Sequence, residues 1–375
     1  MASVTTPLTY CSNIHPGESW ADVMHNLNSH ALDVKKRRGD ERPLALGLRI
    51  AGQAAGEIDA TAIADFRAWC KKHNAYLLTI NGFPFGAFHD QRVKENVYLP
   101  DWREQQRVDY TQVLADIATH LQPDADAISI STVPIAFKQG FNDEDWPRVF
   151  DNLRQVLTHL VNLYDSTGIK ITLAIEPEPG CVLETTDEVI DFFTRLRAQL
   201  TDDQNAHVGL CFDCCHQAVE FEQPAECLAR LAEANIPIAK VQVSSALRAT
   251  TPEEIEHLLD FDEPVYLHQA VARTDTSTPL ARFDDLPDFA EYLRTGHAVS
   301  ECRVHFHVPI FIEHLGPCGT TQDFLRDFLP RLDPDIPLEV ETYSFGVLPA
   351  ELRTDSVGAS IARELEWVEN LLESR

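Results

Sequence analysis

The chain has 375 residues, of which 44% are hydrophobic and 24% are charged, and its formal net charge at pH 7 is −28. This length and composition allow one large α/β core or two smaller ones. The acidic excess argues against nucleic acid or an anionic membrane as the partner, because both require a basic surface, and it favours a small-molecule ligand or a cation.

The N-terminal residues 1–7 have neither the basic region nor the apolar core of a signal peptide, and no apolar run reaches the ~20 residues of a membrane span. We therefore expect a cytoplasmic protein whose nine cysteines are reduced thiols. Cys214 and Cys215 are adjacent and lack zinc-finger spacing, so we interpret them, together with Cys211, as packing residues.

The apolar pattern predicts strands that alternate with helices along the chain. The predicted strands are 8–15, 44–50, 76–82, 127–132, 171–175, 208–213, 238–244 and 337–342. The predicted helices are 18–38, 58–73, 101–121, 143–166, 185–200, 224–234, 319–332 and 359–372, with a further helix starting at 251. Two more strands, 264–271 and 303–308, are predicted around a helix at 286–294.

Eight strand–helix units predict an α/β fold of the closed (β/α)₈ TIM-barrel type. A doubly wound open sheet is the alternative, but no glycine-rich phosphate loop follows the first strand. We expect residues 1–375 to form a single domain, in which residues 250–318 are an insertion between units seven and eight that lies over the C-terminal mouth of the barrel.

Acidic residues stand where three of the predicted strands end. Glu176 and Glu178 follow the fifth strand, Asp213 ends the sixth, and Glu339 and Glu341 lie on the eighth. Active sites of such barrels lie at the C-terminal strand ends, so these carboxylates are expected to meet at one mouth. A divalent cation would remove their mutual repulsion. Taken singly, Glu178 could instead cap a turn, and Glu339 could lie at a solvent-exposed end.

Nitrogen and amide ligands stand close to these acids. His216 follows Asp213 by three residues, Gln242 lies near the end of the seventh strand, and His305 and His307 of the insertion share one parity. Carboxylate, amide and imidazole groups together suit Mn²⁺, Mg²⁺, Co²⁺ or Zn²⁺. The pattern does not decide which of the two insertion histidines faces the mouth, and His305 could equally be a buried structural residue.

Three stretches, 173–177, 212–216 and 340–345, resemble motifs of the xylose-isomerase-like TIM-barrel superfamily. This superfamily includes ketose 3-epimerases, hydroxypyruvate isomerase, inosose dehydratase and endonuclease IV. The resemblance implies one divalent metal that is bound by Glu176, Asp213 and Glu341, with the two glutamates also moving protons as catalytic residues. It further implies that His216 is a substrate-binding histidine.

The seventh strand departs from the pattern of the superfamily. The metal-binding histidine of the epimerase branch falls on Gln242, and its substrate-binding arginine falls on Arg248. Because an amide is a weaker ligand than imidazole, either the metal site is degenerate or His307 or His305 replaces the missing nitrogen.

The whole chain also resembles a narrower family, that of the metabolite-traffic protein EboE. The resemblance rests on residues 8–18 with Trp20, on the loop 81–84 and on residues 302–309. It implies an enzyme-like barrel that acts on a polyol, ketose or cyclitol in a pathway that makes and moves a small metabolite. We include His15 of the first motif among the substrate-binding residues.

Three functions are therefore compared. The first is a metal-dependent isomerase or epimerase, in which Glu176 and Glu341 move a proton through an enediolate. The second is a non-catalytic metabolite carrier, which the Gln242 substitution suggests. The third, hydrolysis of abasic DNA, is disfavoured by the acidic charge. The sequence indicates neither the substrate, nor the metal, nor the oligomeric state.

Overall fold

The computed structural model describes residues 6–39, 41–89, 92–274, 279–348, 350, 353 and 356–373. The strands are β1 (Leu8–Tyr10), β2 (Leu44–Arg49), β3 (Ala75–Asn81), β4 (Ala127–Thr132), β5 (Lys170–Ile175), β6 (Val208–Asp213), β7 (Ile238–Val243), β8 (Leu247–Ala249), β9 (Ala270–Arg273), β10 (Ala281–Phe283), β11 (Glu301–Val304), β12 (His314–Leu315), β13 (Cys318–Thr320) and β14 (Leu338–Val340). The α-helices are α1 (Trp20–Asn26), α2 (Leu32–Arg38), α3 (Gly52–Glu57), α4 (Ala60–His73), α5 (Gln105–Leu121), α6 (Trp146–Thr167), α7 (Thr186–Arg197), α8 (Asp202–Asn205), α9 (Cys214–Val219), α10 (Pro224–Glu233), α11 (Pro252–Leu258), α12 (Leu286–Arg294), α13 (Gln322–Phe328) and α14 (Val357–Glu373).

Strands β1 to β7 and β14 form a parallel barrel, which confirms the predicted fold class. Their order is β1-β14-β7-β6-β5-β4-β3-β2. The two outer strands meet through a parallel bridge between Cys11 and Gly47 and through a 2.8 Å hydrogen bond from Thr9 Oγ1 to the Ala45 carbonyl oxygen. The sheet therefore closes almost completely, and all C-terminal strand ends face one mouth.

The helices outside the barrel begin and end at residues that the sequence makes recognisable. Thr185 and Glu188 form the predicted capping box of α7, since each side chain bonds the backbone amide of the other. Helix α6 ends at Gly168, whose φ of 75° favours glycine. These local signals explain why the observed bounds of α6 and α7 agree closely with the predicted bounds.

The N-terminal elements differ in detail from the prediction. The predicted strand 8–15 ends at Tyr10, because residues 12–14 form a turn of 3₁₀-helix. The predicted helix 18–38 is a continuous helical run, in which residues 27–31 form a π-helical turn between α1 and α2. In the described part of the chain, no helix is long and apolar enough to cross a membrane.

A second sheet lies between β7 and β14 in sequence. Its order is β10-β9-β11-β8-β13-β12, and all its pairings are antiparallel. The sequence predicted two strands here and missed four, which are only two to three residues long. The predicted strand 264–271 is also displaced, since β9 begins only at Ala270. Strand β11 ends at Val304. Residues 305–307 therefore lie after the strand, although the sequence predicted that they belong to it. Helix α12 has the predicted bounds.

Candidate metal-binding and active site

Three buried carboxylates meet at the mouth of the barrel. Glu176 follows β5, Asp213 ends β6, and Glu341 follows β14. One ligand oxygen of each lies within 4.8 Å of the other two. Glu176 Oε2 and Asp213 Oδ2 are buried and have no hydrogen-bond partner in the described structure. The structure thus brings together the three acids that the sequence placed at separate strand ends.

Amide side chains hold Glu341 in place. Its Oε1 atom accepts hydrogen bonds from Asn13 Nδ2 at 2.7 Å, Asn81 Nδ2 at 3.2 Å and Gln242 Nε2 at 3.5 Å. Gln242 therefore points into the acid cluster, and its Oε1 atom is buried without a partner. A buried amide oxygen without a partner, on a side chain beside the acid cluster, is a suitable fourth ligand for a hard cation.

Burial makes ionisation of these acids unfavourable. It raises the pKa of Glu176 and of Glu341 well above the usual range, and nearby carboxylates raise both further. The pKa of Asp213 is also raised, mainly by burial. A divalent cation would reverse this effect, because it would compensate the negative charge. The unpartnered oxygens and the donor set therefore fit such a cation.

Three buried histidines adjoin the acids. His305 Nε2 lies 3.1 Å from His216 Nε2 and 3.2 Å from His307 Nε2. Burial lowers the pKa of His216 to about 3 and that of His307 to about 4. It also lowers the pKa of His305 well below the usual value for histidine. All three rings are therefore neutral at physiological pH. Both insertion histidines face the mouth, a question that the sequence left open.

A cavity opens above the acids, and Glu176, His216, His305 and Glu341 lie in its wall. Aromatic side chains cover the cavity from several loops, and these are Phe83, Phe88, Tyr98, Tyr266 and Tyr343. The apolar loop after β3 and the residues before β9 thus lie over the mouth.

Glu178 also lines the cavity and is buried. Its Oε1 atom accepts a 2.7 Å hydrogen bond from the Tyr98 hydroxyl and lies 3.5 Å from His305 Nδ1. Burial raises the pKa of Glu178 to about 8, which favours its protonated form at neutral pH. Glu178 is thus neither exposed nor a simple turn cap.

Glu339 lies deeper than the sequence suggested. Its side chain is fully buried inside the barrel, where it pairs with Lys240. It is therefore not at a solvent-exposed strand end, and it belongs to the layer beneath Glu341 because the two residues share one parity.

The structure does not bring Arg248 and His15 to this cavity. Arg248 lies between the buried residues of β8, and its guanidinium contacts Glu301 at 3.0 Å and Asp323 at 3.1 Å. His15 bonds the Tyr10 hydroxyl at 3.1 Å and stacks on His30 with ring centroids 4.2 Å apart. Alternation along β8 and the 3₁₀ turn after β1 direct these side chains elsewhere.

Sequence reasoning assigned no role to Asn13 and Asn81, although both bond Glu341. Asn81 is the last residue of β3, and a polar residue at a C-terminal strand end was a usable signal. Asn13 lies in the 3₁₀ turn after β1, for which the sequence pattern provides no comparable signal.

Residues 45–273 match the family of the xylose isomerase-like TIM barrel. A xylose isomerase-like TIM barrel protein from Mycobacterium smegmatis, solved in complex with magnesium, is 12% identical, with a TM-score of 0.56 over 100% of this chain and 99% of that chain. The IOLI protein, solved with a bound zinc atom, is 13% identical, with a TM-score of 0.52 over 98% of both chains.

No match was found among curated proteins. At these low identities, the two solved structures support the fold alone. The family match itself covers more than half of the sequence. The chain therefore belongs to the xylose isomerase-like TIM-barrel family.

Proposed function

We propose that the protein is a metal-dependent isomerase or epimerase of a small polyol, ketose or cyclitol-type metabolite. The observation that carries this proposal is the convergence of Glu176, Asp213 and Glu341, two of them with unpartnered oxygens, beneath a cavity whose wall includes Glu176 and Glu341. The magnesium and zinc in the two solved relatives are consistent with a cation at this position.

Glu176, Asp213, Glu341 and Gln242 would hold the cation through oxygen atoms. A bound divalent cation supplies Lewis-acid polarisation of a substrate carbonyl. His307, which the sequence placed in the same ligand set, has its Nε2 atom directed at His305 instead. We therefore assign the acid cluster an oxygen-only ligand set, for which Mg²⁺ or Mn²⁺ is the best match.

Glu176 and Glu341 are the proposed proton carriers. One would remove the proton from the carbon beside the carbonyl, and the other would return a proton to the opposite face of the resulting enediolate. Asn13 and Asn81 fix the Glu341 carboxylate through its Oε1 atom. Phe83 and Phe88 would keep bulk water from this reactive species.

Exchange of carbon-bound hydrogen in D₂O tests this function. The purified protein is incubated with Mg²⁺ or Mn²⁺ and a panel of ketoses and inososes, and deuterium incorporation is followed by NMR. We expect metal-dependent exchange with at least one compound, and a loss of at least 100-fold in Glu176→Gln and in Glu341→Gln. The matched control is Glu313→Gln, which lies on the surface. Full exchange in the Glu176→Gln/Glu341→Gln double variant would contradict the proposal.

A metabolite carrier is the second candidate, and the aromatic side chains that cover the cavity favour it. A carrier would bind a member of the same panel in calorimetry without deuterium incorporation. The resemblance to the metabolite-traffic protein EboE fits either function.

We also propose that residues 250–318 belong to the barrel domain, because Tyr266 and His305 of this segment line the cavity.

A further inference from the structure

Glu178 lies in the wall of the cavity, but the proposed function gives it no role. Its side chain is only 7% exposed, and its Oε2 atom is buried without a hydrogen-bond partner in the described structure. Leaving a buried polar atom unpaired is unfavourable, so a native structure normally provides it with a partner. Because Glu178 borders the cavity, a molecule bound there can supply that partner.

The turn after β5 holds the backbone of Glu178 in place. A proline stands on each side of the residue, and each proline ring restricts the chain. The Glu178 amide donates to the Leu183 carbonyl oxygen at 2.9 Å, and the Glu178 carbonyl oxygen accepts from the Cys181 amide at 3.2 Å. Gly180 within this turn has a φ of 81°, which favours glycine. The carboxyl group is therefore carried by a well-supported segment.

Side-chain hydrogen bonds hold the other carboxyl oxygen of Glu178. Gln269 Nε2 lies 2.8 Å from the Tyr98 hydroxyl oxygen and can only donate, so the hydroxyl proton is directed to Glu178 Oε1, 2.7 Å away. His305 Nδ1 lies 2.7 Å from Gln269 Oε1 and orients the amide. Tyr98 and Gln269 are themselves buried. Oε1 is thus occupied, and Oε2 is the carboxyl oxygen that is left for a bound molecule.

The charges of the cavity wall restrict which group can pair with Glu178. Among the described residues that line the cavity, Lys94 is the only lysine or arginine. Its Nζ atom is already engaged, since it lies 2.6 Å from Asp285 Oδ2 and donates to the Glu263 carbonyl oxygen at 3.1 Å. Phosphate and carboxylate groups are usually bound by arginine or lysine side chains. The wall beside Glu178 is therefore suited to an uncharged group and not to an anion.

We propose that Glu178 is a substrate-binding residue, whose Oε2 atom bonds a hydroxyl group of an uncharged polyol or ketose. The inference rests on the proposed function and narrows its substrate class to compounds that carry no phosphate at this position. A hydroxyl group both donates and accepts, so it satisfies Oε2 whether or not the carboxyl group carries a proton. An ammonium group can only donate, and a phosphate would meet the carboxyl group without a compensating cation.

Tyr98 and Gln269 act as positioning residues for Glu178. Tyr98 belongs to the loop after β3, and Gln269 belongs to the segment before β9, so the hydroxyl site depends on two separate parts of the chain. A site that hydrogen-bonds a hydroxyl group rejects an analogue without it, because the polar atom of the protein is then left unpaired. Binding is therefore expected to depend on one hydroxyl position of the substrate.

Calorimetry with deoxy analogues tests the role of Glu178. The full-length, Mg²⁺-loaded protein is titrated with each ketose and inosose of the deuterium-exchange panel, with their monodeoxy analogues and with their phosphate esters. We expect removal or phosphorylation of one hydroxyl group to weaken binding at least about 30-fold. Glu178→Met keeps the side-chain length, so it should weaken binding of the parent compound by a similar factor and abolish the effect of removing that hydroxyl. Glu178→Gln keeps a hydrogen-bonding group and should recover most of the affinity, whereas the surface control Glu313→Gln should leave it unchanged.

Tyr98→Phe tests the positioning of the carboxyl group. It should raise KM for deuterium exchange about tenfold and leave kcat and metal content unchanged, because it removes one hydrogen bond to Glu178 and no metal ligand. A fall in kcat at constant KM would contradict the positioning role.

The same deoxy effect in Glu178→Met as in the unaltered protein would overturn the proposal, as would a phosphate ester at that position that binds more tightly than its parent. Binding that depends on Glu178 without deuterium exchange would contradict the isomerase function alone, whereas exchange that Glu178→Met leaves unchanged would overturn this proposal alone. If Glu178→Met does not fold, a crystal structure of the unaltered protein with the bound parent compound decides. A substrate hydroxyl oxygen within about 3.2 Å of Glu178 Oε2 supports the role, and a greater distance overturns it.

Discussion

Lys240 and Glu339 form an ion pair inside the barrel, and neither side chain has any solvent exposure. Lys240 Nζ also lies 3.1 Å from Thr79 Oγ1 and 3.3 Å from Ser131 Oγ. A Cβ atom at Gly47 would overlap the Glu339 carboxylate, so the glycine at this position makes room for the pair. The positive charge of Lys240 opposes the rise in pKa of both Glu176 and Glu341. The ion pair in the barrel interior therefore influences the protonation of the carboxylates at the mouth.

Removing one partner of this pair should destabilise the fold strongly. Glu339→Gln leaves the Lys240 charge buried without its counter-ion, and breaking such a pair costs about 3–5 kcal/mol. Lys240→Met/Glu339→Leu removes both charges and should recover most of the loss. Urea unfolding followed by circular dichroism measures the free energies. A double variant as unstable as Glu339→Gln would show that packing, not the unpaired charge, is the cause.

Replacing Gln242 by histidine should change the metal preference of the acid cluster. The amide oxygen of Gln242 has no partner among the described residues, and the amide nitrogen of the same side chain lies 3.5 Å from Glu341 Oε1. Gln242→His exchanges an oxygen ligand for imidazole, so we expect affinity for Zn²⁺ to rise at least tenfold relative to Mg²⁺. Competition calorimetry measures the ratio. An unchanged ratio would show that Gln242 is not a ligand.

Stability should fall with rising pH because of Glu364. This residue of α14 is fully buried, where it accepts hydrogen bonds from Thr342 Oγ1 at 2.6 Å and from the Ile310 amide at 3.2 Å. Burial raises its pKa from 4.5 to about 7. The folded state therefore binds the proton more tightly than the unfolded state, and stability is lost as pH rises from the unfolded to the folded pKa.

The expected loss from Glu364 is on the order of 3 kcal/mol over that pH range. Glu364→Gln stays neutral and keeps an oxygen acceptor, so its stability should depend less steeply on pH by this amount. Urea unfolding at several pH values, with metal held constant, compares the two proteins. Parallel pH profiles would mean that Glu364 does not contribute.

Arg248 provides a test of the substrate-binding role that the sequence assigned to it. Its guanidinium contacts Glu301 and Asp323 at the second sheet, and it does not line the cavity. We expect Arg248→Ala to leave metal content and deuterium exchange within twofold of the unaltered protein. Exposed ion pairs of this kind contribute about 0–1 kcal/mol to stability. Loss of exchange with an unchanged melting temperature would restore the role in substrate binding.

Local patterns were sufficient to predict the barrel and three of its acids. The apolar run before Glu176 is buried on both faces as a parallel strand, and Asp213 ends the next strand. Strand direction then implies a shared mouth, because parallel strands have their C-terminal ends at one edge. The short strands of the second sheet were missed, since two or three residues do not establish a period.

The sequence by itself therefore determined the fold class, the alternation of strands and helices, and the acids at strand ends five, six and eight. Only the tertiary structure decided that strand β11 ends at Val304 and that His305 and His307 lie next to each other, with His305 in contact with His216. It also decided that Arg248 faces away from the cavity and that Glu339 pairs with Lys240. These outcomes depend on contacts between residues distant in sequence, which hydrophobic periodicity does not encode.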